Sequence, residues 1–97
     1  MEINNMEKYI SRGYEALMSC VRFALRERNS DLAVIFGLPL VKMASAEAGA
    51  YIEDYNEAMD LGVAVVKLAE KKGVSPWLHD DLEELKETLR EAGWEVW

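Results

Sequence analysis

Three stretches of this chain space their apolar residues alternately three and four positions apart, the pattern of long helices packed along their lengths. In the first, the series is Ile3, Met6, Ile10, Gly13, Leu17, Cys20 and Ala24, uninterrupted by proline. Glu2 and Glu7 stand near its start and Arg22, Arg26 and Arg28 near its end, as the helix dipole prefers. The spacing predicts one helix over about 2–28, ~40 Å long at ~1.5 Å per residue. In the second, Val41, Ala44, Ala48, Tyr51, Tyr55, Ala58, Gly62, Val65 and Ala69 keep one phase, and Ile52, Met59 and Val66 widen the stripe. The phase crosses Gly49 unchanged, so a single helix is predicted over about 40–72, closed by Lys71, Lys72 and Gly73. In the third, Ser75-Pro76 supplies a cap and a first-turn proline, and Leu78, Leu82, Leu85 and Leu89 follow before Gly93. That places a C-terminal helix over 76–92.

Between the first two stretches, Asn29-Ser30-Asp31 reads as a helix stop followed by a new cap. Pro39 disfavours helical backbone at Leu38 and suits the first turn of another helix. Residues 31–38 are therefore read as a short buried helix, with a buried strand as the alternative. Helix is favoured because a lone strand would have no partner to pair with. The expected architecture is all-α: one domain over 1–97, a small helical bundle of two long helices with a short one and a C-terminal one. Folding the long helices back on each other about residues 29–39 sets Tyr55 against Gly13 and Met6 against Gly62, large against small.

Composition narrows what such a bundle does. The chain has 97 residues, half of them apolar, with one cysteine and one histidine. Cys20 has no partner for an internal disulfide and, with no histidine or second cysteine at ligand spacing, no zinc site is expected. A buried small hydrophobe is the reading for Cys20. His79-Asp80-Asp81 is the sole histidine–carboxylate cluster and falls in the first turns of an acidic helix, where carboxylates complement the dipole. Glu53, Glu57 and Asp60 share a helix face. All-α nucleotide pyrophosphohydrolases hold magnesium with an ExxE pair followed by ExxD, but here Glu84-x-x-Glu87 comes after Glu57-x-x-Asp60, the wrong order. Di-iron bundles want Glu-x-x-His repeats, which are absent. A solvated face is the better account. No catalytic residue, cofactor or metal is expected, and the protein is read as non-enzymatic.

The formal charge is −7, spread unevenly: residues 2–29 carry +1, 31–73 carry −3 and 75–97 carry −5. Such a balance disfavours nucleic acid and anionic membrane as partners. The basic helix end at Arg22, Arg26 and Arg28 is the one place an anion would meet a welcome. The longest apolar run, Leu32 to Val41, is half of what a membrane span needs, and Met1 to Glu7 lacks the pattern of a signal peptide. A cytoplasmic location is expected.

Two features point outward instead. Tyr9, Ala16 and Phe23 make a second stripe on the flank of the first helix. Trp94, Val96 and Trp97 crowd three large apolar side chains into the last four residues, costly to leave in water. Tyr9, Phe23, Trp94, Val96 and Trp97 are therefore the candidate protein-interaction residues. Each group folds onto its own bundle or onto another subunit. Gly13-Tyr14-Glu15-Ala16-Leu17 and Tyr55-Asn56-Glu57-Ala58-Met59 are similar to the start of the second helix of tetratricopeptide repeats. Their tyrosines stand 41 residues apart, against about 34 in that repeat, so no repeat array is expected.

A chain this short buries only about 60–65% of its unfolded surface and usually needs a staple or a second chain. The leading reading is thus a protein-binding bundle, forming a homodimer or higher homo-oligomer. The alternative is a small acidic inhibitor of the kind phages deploy, a nucleic-acid-mimicking decoy that sits on a basic protein surface.

Overall fold

A computed structural model describes residues 3–49 and 52–96, among which all regular structure is helical. Helix α1 spans Ile3–Arg26, α2 Ser30–Gly49, α3 Ile52–Lys72 and α4 His79–Glu91, with a 3-10 turn at Pro76–Leu78 leading into α4. The all-α bundle expected from the spacing is what forms.

Local chemistry sets most of the boundaries. At the end of α1, Arg28 takes a left-handed conformation with φ 58°. The amides of Asn29 and Arg28 then reach back to the carbonyls of Ala24 and Leu25, a Schellman closure. Asn29 serves twice, because its Oδ1 also accepts from the Leu32 amide and caps α2. Gly73 and Gly93 end α3 and α4 with φ 85° and 104°, values that glycine adopts without a Cβ clash. After Gly93 the Trp94 amide bonds the Leu89 carbonyl, so the second Schellman closure delivers Trp94 back onto the bundle.

The centre of the chain differs from expectation. In place of a short helix over 31–38 and a long one over 40–72, α2 runs straight through Pro39. The reversal comes instead near residue 50. Ser45 Oγ donates to Asp54, and Lys42 pairs with Glu57, two contacts that straddle that same point on antiparallel helices. Pro39 removes the amide that would serve the Ile35 carbonyl. Its ring is buried on the inner face, and packing against α1 and α3 holds the helix together across it. A predicted helix of more than thirty residues thus becomes the second half of α2 followed by α3.

Each helix packs against its neighbours in sequence, and α4 also packs against α1, which closes the ring. Gly13 of α1 faces Met43 of α2, and Gly62 of α3 faces Leu89 of α4. The expected register, with Gly13 opposite Tyr55 and Met6 opposite Gly62, is therefore replaced. It rested on a continuous 40–72 helix, and with the reversal near residue 50 the partner of α1 becomes α2. Large-against-small packing survives with different partners. The core runs from Met6, Ile10, Leu17 and Cys20 through Phe36 and Met43 to Tyr55, Met59, Val66, Leu85 and Leu89. The molecule measures 37 × 25 × 16 Å.

Candidate functional site

The candidate residues fall mainly against the protein's own core. Tyr9 and Phe23 are half-buried, and Ala16 between them is buried, because α1 is gripped by α2 on one side and α4 on the other. The second stripe of α1 thus packs in part against the protein's own core. Trp94 stands edge-on to Tyr55, with ring centres 5.7 Å apart at 79°, and its Nε1 donates to Asp60 at 2.8 Å. Val96 is half-buried, and its carbonyl accepts from Arg90 Nε at 3.1 Å. Trp97 lies outside the described residues.

Several charged groups hold helices together. Arg12 of α1 pairs with Glu84 and Glu91 of α4, which pulls the Glu91 carboxyl below its ordinary value through that hydrogen bond. Lys86 is buried on α4 and pairs with Glu70 of α3 at 3.0 Å. Glu57 and Asp60, two of the three carboxylates sharing a face of α3, take up Lys42 and Trp94. His79 is exposed at the start of α4. Among the described residues, no three His, Cys, Asp or Glu side chains are grouped to hold a metal ion. Burial, with a lesser contribution from Asp81, pushes the Cys20 thiol up to about 12, which removes the thiolate that reactivity requires.

The arginine end of α1 forms one shallow cleft of about 220 Å³, lined by Ser19, Arg22, Phe23, Arg26 and Asp81. Asp81 of α4 shares the lining of that cleft with the two arginines. Its carboxyl lies above its ordinary value because burial, and then Asp80, disfavour the charge.

Exposed large apolar side chains occur singly on other elements, at Leu25, Ile52, Leu68 and Trp77, and in a row on α2. Leu32, Phe36, Pro39, Met43 and Ala46 face inward and are buried. Two residues further along, Val34, Leu38, Val41, Ser45 and Ala48 repeat the same four-three-four-three spacing and all are exposed. A shift of two residues turns about 200° around a helix, so α2 carries two heptad stripes on opposite faces. Val34 is 65% exposed, Leu38 52% and Val41 70%. Between Asp31 and Glu47 the one charged residue on α2 is Lys42, whose Nζ is 2.6 Å from Glu57 on α3.

This outer stripe escaped the sequence reading, which took Val41, Ala44 and Ala48 as core. The signal was present, since residues 32–41 are apolar on every side and a helix of that kind has one face too many for a small bundle. By length and composition alone, Ser30–Gly49 would also cross a membrane. Comparison with known protein families, curated proteins and solved structures finds no match.

Proposed function

We propose that this protein is a non-enzymatic helical bundle that works by binding protein, with a second copy of itself as the partner. The observation that supports this reading is the row of Val34, Leu38 and Val41 on the outer face of α2, at heptad spacing and turned to water. Stripes of that spacing pack lengthwise against other helices. Among the described residues, the main stripes of α1, α3 and α4 already lie in the core. Covering the exposed parts of Val34, Leu38 and Val41 is worth on the order of 1 kcal/mol per side chain. One helix face is a small interface, so the pairing belongs in the micromolar range or weaker.

Sedimentation velocity from ten to several hundred micromolar tests the reading, with Leu38→Glu as the paired variant. Leu38 is exposed, so the variant keeps its helix content. The expected result is a dimer that appears with concentration in the wild type and not in the variant. A wild type that stays monomeric throughout contradicts self-association. Tight, steeply salt-dependent binding to a basic protein would transfer the function to the acidic α4 surface instead.

A further inference from the structure

We propose that the outer side of α1 holds a binding site for a nucleoside monophosphate, its phosphoryl group clamped by Arg22 and Arg26 and its base laid along Met18 towards Tyr14. The site is separate from self-association, which uses α2. Two clefts carry it. The one at the arginine end is lined by Ser19, Arg22, Phe23, Arg26 and Asp81. A larger one, of about 420 Å³, is lined by Tyr14, Glu15, Met18, Ser19 and Arg22. Ser19 and Arg22 belong to both, so the two clefts form one groove along ~18 Å of α1.

The two ends of the groove differ in chemistry. Arg22 and Arg26 stand one turn apart on α1, where like charges repel unless an anion lies between them. Arg12, Lys42 and Lys86 each pair with a carboxylate. Among the described residues, Arg22 and Arg26 pair with none, although Asp81 lines the same cleft. Two guanidinium forks with the Ser19 hydroxyl beside them suit the oxygens of one phosphoryl group. At the other end, Tyr14 is 38% exposed and Met18 half-buried, a ring and a thioether against which a flat base stacks. Glu15 next to them accepts hydrogen bonds from amino or hydroxyl donors. Tyr14 and Arg22 lie ~12 Å apart along the helix axis, a distance that calls for a ligand with a body as well as a phosphate. Asp81 and its neighbour Asp80 oppose the anion. Burial, and then Asp80, already disfavour the charge on Asp81, so neutralising that carboxyl favours binding.

Titration of the full chain with adenosine monophosphate, followed by amide NMR shifts, tests the site, with inorganic phosphate as the probe that lacks a ring. Arg22→Gln, Arg26→Gln and Tyr14→Ala change exposed positions, and Arg28→Gln removes the same charge outside both clefts. The expected result is a saturable shift of amides between Tyr14 and Arg26, with the nucleotide bound several-fold more tightly than phosphate. Arg22→Gln and Arg26→Gln each weaken nucleotide binding by about tenfold, whereas Arg28→Gln stays within about twofold of wild type. Tyr14→Ala weakens the nucleotide and leaves phosphate unchanged, and Asp81→Asn tightens both. A loss in Arg28→Gln equal to that in Arg22→Gln reduces the effect to diffuse charge and overturns the site. Phosphate bound as tightly as the nucleotide overturns the assignment of the ligand. No saturable shift at several millimolar nucleotide overturns the proposal outright.

Discussion

Tyr55 is the largest side chain wholly inside the bundle, and its hydroxyl is buried with no hydrogen-bond partner in the structure. Such a group forfeits its hydration and recovers nothing in exchange. Burial, with a lesser contribution from Tyr9, pushes its phenol up to about 12. Tyr55→Phe keeps the edge-on contact with Trp94 and removes the orphaned oxygen. Urea unfolding is expected to show it unchanged or up to ~1 kcal/mol more stable than wild type. A loss of more than that amount would mean that the hydroxyl is bonded in solution. Asp81 makes a second residue-scale prediction, with a definite sign in pH. Its folded carboxyl is raised above the ordinary value, so its charged form costs stability. That cost is absent where the acid is protonated in both states and is complete above the folded value. Stability of Asp81→Asn relative to wild type should therefore rise from pH 4 to pH 7, measured by urea midpoints at each pH. A flat or falling difference would show the carboxylate to be well solvated or paired.

At the scale of elements, the ends of the helices were more legible in the sequence than their faces. Asn29, Gly73 and Gly93 announce caps through their own chemistry and each performs as read, whereas Ser75-Pro76, read as the start of the last helix, caps only the 3-10 turn before α4 begins at His79. The stripes of α1 and α3 were equally plain, because each has a polar face for contrast. α2 was not, for two physical reasons. Pro39 signals a break that tertiary packing overrides. An all-round apolar segment also gives periodicity nothing to contrast with, so either face of α2 reads as core. The interface candidate was missed with it, since Val34 and Leu38 were placed in a buried element. Trp94 and Val96, chosen for their size alone, lie half-buried against their own bundle, and size says nothing about which surface covers a side chain. One element boundary is suboptimal and testable. Arg28 occupies a left-handed position that glycine takes without strain. Arg28→Gly should raise stability by roughly 0.5–1 kcal/mol, read from the thermal midpoint. A destabilised variant would show that the arginine side chain makes a contact outweighing its backbone cost.

For the whole molecule, four helices in a closed ring bury the main stripes of α1, α3 and α4 and the inner face of α2 among the described residues. On the function proposed above, the outer face of α2 is the surface that a second copy covers. Carbon-13 methyl spectra of a dilution series, from about a millimolar to ten micromolar, test this most directly. The account predicts that the methyl resonances of Val34, Leu38 and Val41 move together with concentration, while those of buried Leu85 and Leu89 hold still. Resonances that do not move at any concentration, or that move only near Tyr9, Phe23 and Trp94, would contradict it.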